Sequence, residues 1–128
     1  MFSHIMIGSN DIARSKKFYD ALLATLGAAP GVTDAKGRLI YVYNGGMLLV
    51  TKPINGEPAT HGNGSTIGIG VEGPEQAHAW HQAGLAHGGT AIEDPPGIRE
   101  TPKGNLYLAY LRDPDGNKLC ALHRMPRQ

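Results

Sequence analysis

The chain repeats one pattern of strand, helix and paired strands, and this internal repeat limits what it can fold into. His4 lies 62 residues before Thr66, each in a short alternating apolar stretch. Gly27 lies 61 residues before Gly88, each where a helical pattern ends. A repeat of this kind is one supersecondary unit that packs against its neighbour. The alternative is an α+β sandwich whose halves match by chance, and the shared order and spacing argue against it.

The first half begins with a strand and a helix. Within 2–8, Ile5 and Ile7 alternate with His4 and Met6, which predicts a strand with two different faces. The run Ser9-Asn10-Asp11 is typical of a helix start. The apolar residues that follow are spaced as one helical face, and a hairpin around Asn44-Gly45-Gly46 should come next. The predicted helical face contains Phe18, Tyr19, Leu22, Leu23 and Leu26.

The second half repeats these elements in the same order. Alternation over 65–71 predicts a strand, and Gly73-Pro74-Glu75 suits a helix start with proline at the first position. Residues 106–112 and 118–124 should pair across a turn at 113–117. The packed stripe of the second helix is predicted to contain Ala77, Trp80, Gly84 and Leu85.

The fold class that follows is α+β. We expect one domain over 1–128, made of a first βαβββ module at 1–54, a linker at 55–64 and a second βαβββ module at 65–128. One main helix per module should cover one side of its sheet. A chain of 128 residues with 41% hydrophobic content can bury a core of this kind.

Composition excludes several classes of function. The formal net charge is +1, so nothing favours nucleic acid or a membrane surface as a partner. Cys120 is the single cysteine, which fits a reducing compartment and predicts a cytoplasmic protein. No apolar run is long enough to span a membrane, and the N-terminus lacks a signal-peptide pattern. No phosphate-loop, zinc-finger or nucleophile-elbow motif is present.

Four passages carry a resemblance to a known family. They are HIMIGSND at 4–11, KFYDALL at 17–23, PATHGNG at 58–64 and RDPDGNK at 112–118. With the βαβββ duplication they resemble the vicinal oxygen chelate superfamily, which includes glyoxalase I, bleomycin-resistance proteins and extradiol dioxygenases. The chain is most similar to a bacterial glyoxalase-like branch of unassigned activity. The resemblance implies a curved mixed sheet around a cleft, but a shared fold does not fix the function.

The resemblance also implies where a metal would lie. Members that use a metal hold it at up to four corners of the cleft, on the first and last strands of each module. The corresponding positions here are His4, Thr66, Cys120 and either Leu49 or Val50. A divalent cation generally needs at least three protein donors. We therefore expect no metal cofactor, with a divalent ion as the less favoured alternative.

The hairpin register selects further candidates. Counted back across the turn at 113–117, Tyr110 lies opposite Cys120, and residues directly opposite share a face. His4 and Tyr110 are candidates for acid–base catalysis, although His4 could be structural and Tyr110 a packing aromatic. Cys120 is an inert buried thiol, a metal-binding thiolate, or a nucleophilic or redox thiol that would need an aligned base. The predicted binding set is His4, Met6, Thr66, Arg99, Leu108, Tyr110, Cys120 and Leu122.

The remaining polar candidates carry less weight. Arg99 lies in a proline-braced loop, where it could meet a carboxylate or phosphate or simply face solvent. His78 and His81 are three apart on the second helix, and we interpret both as surface residues because no third metal donor is evident. His123 should point away from the cleft, since its parity is opposite to that of Cys120.

Two classes of function remain. The favoured one is a protein like the bleomycin-resistance members, with a small-molecule-binding cleft and no bound metal. The alternative is a glyoxalase-, lyase- or dioxygenase-like enzyme, metal-dependent or metal-free, acting on a small metabolite. The expected partners are a small-molecule ligand and a second copy of the chain, because short modules gain buried area by forming a homodimer.

Overall fold

A computed structural model describes residues 1–126 of the chain as two helices and nine strands. The helices are α1 (Ile12–Ala24) and α2 (Pro74–Ala86). The strands are β1 (Ile5–Gly8), β2 (Val32–Thr33), β3 (Leu39–Tyr43), β4 (Gly46–Thr51), β5 (Ile67–Gly70), β6 (Thr90–Ala91), β7 (Gly97–Thr101), β8 (Gly104–Arg112) and β9 (Lys118–Arg124). The α+β class is confirmed.

The strands form two mixed sheets, one in each half of the chain. The first sheet has the order β1-β4-β3-β2, and the second has the order β5-β9-β8-β6 with β7 also paired to β8. In each half the first strand runs parallel to the last, as β1 does to β4 and β5 does to β9. The other ladders are antiparallel.

The repeat predicted from the sequence is confirmed in the order and spacing of the elements. The strands Ile5–Gly8 and Ile67–Gly70 are 62 residues apart and play the same part in their sheets. The two helices are also 62 residues apart, and each has 13 residues. The second half departs from the first by the additional strand β7.

Local sequence signals explain where the helices begin and end. Asp11 caps α1 by accepting a hydrogen bond from the backbone N–H of Arg14. Pro74 opens α2 at a position where its missing N–H costs nothing. Gly27 and Gly88 follow the two helices with positive φ angles of 94° and 103°, a conformation that favours glycine.

The two halves share one hydrophobic core. It contains Phe18, Tyr19 and Leu22 from α1 and Trp80 from α2, all fully buried, together with helix-facing residues of both sheets. The predicted packed stripe of α2 needs a correction, because Leu85 is 38% exposed. His81 is buried instead. It lies three residues before Gly84 on the helical face that packs against the sheet, whereas Leu85 lies outside that face.

A polar contact joins the start of α1 to the β8–β9 turn. The carboxylate of Asp115 accepts hydrogen bonds from the Arg14 side chain at 2.8 Å and the Asn10 backbone N–H at 2.9 Å. The Tyr19 hydroxyl donates to Asp113 at 2.5 Å. These bonds fix the turn of the second half against the helix of the first half. Neither described helix has the length and apolar character that crossing a membrane requires.

Candidate functional site

The second sheet presents one face to the helices and another away from them. Ala109, Leu111, Leu119 and Ala121 belong to the shared core. The intervening residues of β8 and β9 therefore point to the opposite side, which we call the helix-free face. Tyr110 pairs with Cys120 and Leu108 with Leu122, so the predicted hairpin register is confirmed. These four residues form the centre of the helix-free face, and their part in ligand binding stays a prediction.

Arg99 lies in strand β7 and not in the predicted loop, and this strand brings it to the same face. Arg99 lies opposite Leu106 on β8, two residues from Leu108 and four from Tyr110. Its Nη2 atom donates hydrogen bonds to the carbonyl oxygens of Asp94 and Pro95, each at 3.1 Å. The side chain is half-buried, and its charge is close enough to act on Tyr110 and Cys120. The helix-free face thus brings together five of the predicted binding residues, namely Arg99, Leu108, Tyr110, Cys120 and Leu122.

Two charged residues that the sequence analysis missed complete this group. The Lys118 ammonium forms an ion pair with Glu93 and lies 5.0 Å from the centre of the Tyr110 ring. Lys118 has the same parity as Cys120, so the alternation of β9 was a signal that could have found it. Glu93 belongs to a loop, where no periodicity applies. We call Glu93, Arg99, Tyr110, Lys118 and Cys120 the polar cluster.

The thiol and the phenol of the polar cluster both keep their protons at neutral pH. Burial raises the pKa of Cys120, and the opposing influence of Tyr110, Lys118 and Arg99 does not reverse it. Burial also raises the pKa of Tyr110, and Cys120 and Glu93 add to this effect. Both groups are therefore protonated and poor nucleophiles, and the Cys120 thiol donates a hydrogen bond to the Ala121 carbonyl oxygen at 3.5 Å.

A cavity of about 330 Å³ lies where the two halves of the chain meet. Its walls come from β1, the segment between β4 and β5, and the start of β9. Lys118 lines this cavity and also contacts the Tyr110 ring, so the cavity borders the polar cluster. We call it the seam cavity. Its lining residues are Ile5, Met6, Ile7, Gly8, Thr60, Gly62, Ser65, Ile67, Asn117 and Lys118.

The other predicted site residues lie apart from the polar cluster. Met6 lines the seam cavity. His4 is exposed, and its Nδ1 shares a hydrogen bond of 2.8 Å with the Ser3 hydroxyl. Thr66 is exposed and precedes β5. Among residues 1–126, no hydrogen bond or ring contact joins His4 to Tyr110, so the predicted acid–base pair is not formed within one chain.

The interpretation of His81 as a surface residue was wrong. His81 is 6% exposed, and its Nε2 lies 3.1 Å from the Tyr110 carbonyl oxygen, which can only accept. Nε2 therefore carries the proton. Burial lowers the pKa of His81, which favours the neutral ring. His81 holds the backbone of Tyr110 in place from the helix side.

The other two histidines agree with their predictions. His78 is exposed, and His123 has the predicted parity and contacts the Val71 carbonyl oxygen.

The four corner positions do not suit a divalent metal. The register pairs Met6 with Leu49, while Val50 packs in the core, so Leu49 is the residue that shares the face of Met6. That corner has no donor atom. Cys120 is a buried thiol with a raised pKa, and Thr66 offers a neutral hydroxyl. No group of three metal-ligating side chains occurs in the part of the chain that the structure describes. The residues present do not fit the metal that some members of the superfamily hold.

Comparison with known proteins identifies the family. Residues 1–121 match the model of the Glyoxalase/Bleomycin resistance protein/Dioxygenase superfamily. The chain belongs to this superfamily. No curated protein is significantly similar to it.

Solved structures agree with this assignment. A glyoxalase/bleomycin resistance protein from Albidiferax ferrireducens T118 is 61% identical, with a TM-score of 0.93 over 97% of this chain and 99% of that one. A glyoxalase/bleomycin resistance protein/dioxygenase family enzyme from Burkholderia phytofirmans PsJN is 17% identical, with a TM-score of 0.72 over 96% of this chain and 98% of that one. A lactoylglutathione lyase from Agrobacterium tumefaciens is 19% identical, with a TM-score of 0.65 over 95% of this chain and 92% of that one. The last two share the fold with this chain.

Proposed function

We propose that this chain is a bacterial cytoplasmic protein that binds a small organic molecule, without a bound metal, on the helix-free face of its second sheet. The observation that carries the proposal is the position of Lys118, which lines the seam cavity and contacts the Tyr110 ring. A ligand in the seam cavity would therefore meet the polar cluster. A concave apolar surface with a few convergent polar groups is typical of small-molecule sites.

The chemistry of the polar cluster favours binding over catalysis. A catalytic thiol needs a lowered pKa or an aligned base, and burial raises the pKa of Cys120 instead. His4 contacts Ser3 and not Tyr110. The donor set at the corners also gives a metal-dependent reaction no support. The enzyme alternative is therefore the second candidate, and the experiment below distinguishes it.

A titration of isotope-labelled protein with a panel of small metabolites tests the proposal. We expect a subset to shift the backbone amide NMR signals of Tyr110, Lys118 and Cys120. Lys118→Gln should weaken this binding, whereas Lys36→Gln, in an exposed turn of the first half, should not. Shifts confined to other surfaces, or none with any compound, would contradict the proposal. Conversion of a bound compound to product in the same samples would favour the enzyme alternative.

We also propose that the chain forms a homodimer. Its second copy covers the surface of the first sheet that points away from the helices. Val42 and Met47 pair with each other there and are 64% and 39% exposed, and Met6 on the same side of β1 is 43% exposed. Such a surface is apolar and uncovered within one chain.

Sedimentation should show a dimer at micromolar concentration. Val42→Lys should yield monomer. Ile54→Lys, a control in an exposed loop, should leave the dimer intact. A wild-type chain that sediments as a monomer would refute the proposed dimer.

A further inference from the structure

Arg99 stands out within the polar cluster because no carboxylate pairs with it among residues 1–126. Glu93 and Lys118 form an ion pair and offset each other's charge. Arg99 donates only to two backbone carbonyls, and Asp94 contacts it through its carbonyl oxygen. Arg99 therefore carries a positive charge that no acidic side chain offsets within the described range.

The hydrogen bonds of Arg99 leave part of its guanidinium available. Both bonds use Nη2, so Nε and Nη1 donate to no residue that the structure describes. Nε and Nη1 point to different sides of the guanidinium, so each can donate one charge-assisted hydrogen bond to an oxyanion. The two carbonyls also hold the guanidinium in place, so less side-chain entropy is lost when a ligand binds.

A second arginine lies in the same row of the sheet. Leu106 on β8 pairs with Arg99 on one side and with Arg124 of β9 on the other. Residues directly opposite share a face, so both arginines belong to the helix-free face. Arg124 is exposed and has no ion pair within the described range. The two arginines give this row a positive charge that the Glu93–Lys118 pair does not cancel.

We propose that the ligand of the helix-free face carries a carboxylate or another small oxyanion, which Arg99 binds, while its carbon skeleton lies against Leu108 and the Tyr110 ring. This inference rests on the proposed function, since it names the class of ligand for the same site. The protonated Tyr110 and Cys120 suit such a ligand because neither adds a negative charge beside it.

Matched pairs of probes test the inference. Benzoate and phenyl phosphate carry the anion on a ring, and benzamide is the neutral counterpart of benzoate. We expect the wild-type chain to bind the anions at least about tenfold more tightly than benzamide, because one hydrogen bond between charged groups contributes this much. The ratio between benzoate and phenyl phosphate identifies which oxyanion fits the site better.

Variants assign that preference to Arg99. Arg99→Gln should remove it, with a much smaller loss of affinity for benzamide than for the anions, and Arg99→Lys should retain part of it. Arg124→Gln should weaken anion binding by about twofold to threefold, since exposed charges contribute less, and it provides a separate test if Arg99→Gln does not fold. Arg38→Gln, an arginine paired with Asp34 in the first half, is the matched control and should have no effect.

The outcomes separate this inference from the proposed function. If benzamide binds the helix-free face as tightly as the anions do, and Arg99→Gln and Arg124→Gln change nothing, the oxyanion inference is wrong while the binding function stands. If neither the probes nor any compound of the metabolite panel binds this face, the proposed function fails and the inference fails with it.

Discussion

The Tyr19 hydroxyl lies wholly inside the core and donates to the carboxylate of Asp113 at 2.5 Å. Burial raises the pKa of Tyr19 well above its ordinary value, and Asp113 adds to this, so the phenol stays protonated. Asp113 also accepts from the backbone N–H groups of Asp115 and Asn117. One side chain of α1 thus helps to order the turn that begins β9, the strand that carries Cys120.

Replacing this phenol should be costly. A hydrogen bond to a charged group contributes about 1.5–3 kcal/mol, so Tyr19→Phe should lower the free energy of unfolding by that amount. Tyr43→Phe is the control, because its hydroxyl donates to the neutral carbonyl of Leu26 from a partly exposed position. Its cost should be about 0.5–1.5 kcal/mol. Urea unfolding measures both, and equal losses would show that the Asp113 contact has no special weight.

The raised pKa of Cys120 predicts a slow thiol and a decline of stability in alkali. The folded state holds the thiol proton at a pH where the unfolded chain releases it. This contribution is therefore complete below the ordinary thiol pKa of about 8.5 and is lost as the pH rises above it. Iodoacetamide should modify the native chain more slowly than the urea-unfolded chain at pH 7.5. Cys120→Ala should flatten the decline between about pH 8.5 and 10, and rapid native modification would contradict the assignment.

At the scale of elements, α2 approaches the second sheet closely at Gly84. A Cβ atom there would collide with the Leu111 side chain and lie 3.2 Å from Leu22 Cδ1. Both leucines are fully buried, so neither can move aside without displacing other core atoms. Gly84 therefore sets the distance between α2, α1 and strand β8.

Gly84→Ala should destabilise the chain despite the better helix propensity of alanine. Propensity gains about 1 kcal/mol, whereas overpacking a tight core costs about 1–3 kcal/mol, and the unfavourable contact with Leu111 should dominate. Gly68→Ala in β5 is the control, because open space surrounds a Cβ atom at that position. Thermal unfolding should show a lower Tm for the first variant alone. A rise in Tm for Gly84→Ala would mean that the helix can shift outward.

The elements show which features a sequence can predict. The positions of both helices and the pairing of Tyr110 with Cys120 follow from local signals, namely caps, periodicity and a turn rich in Asp, Pro and Gly. The burial of His81 in place of Leu85 depends on how α2 rotates over the sheet, which tertiary packing decides. The contacts of Glu93 with Lys118 and of Arg14 with Asp115 join distant segments, and no local pattern encodes them.

At the scale of the whole molecule, the two halves bring their first and last strands into equivalent positions. Met6 pairs with Leu49 in the first sheet, and Gly68 pairs with Cys120 in the second. The corner positions His4 and Thr66 lie two residues before Met6 and Gly68, immediately before β1 and β5. The duplicated fold thus gives the two halves equivalent strand pairs, while the side chains at the four corner positions lack most of the donors that a metal requires.

We therefore predict that the wild-type chain binds no stoichiometric divalent metal. A strongly hydrated cation leaves water only for several donors, some of them anionic. The four corner positions here supply one imidazole, one hydroxyl, one protonated thiol and no donor from Leu49. Thr66→His combined with Cys120→Glu should create zinc or nickel binding, detected by elemental analysis after dialysis, because three donors would then be present. Each single variant supplies one donor fewer and should bind far less. Metal that the wild-type chain retains and His4→Ala loses would overturn the prediction. A double variant that binds no metal would show that His4, Thr66 and Cys120 do not converge on one site.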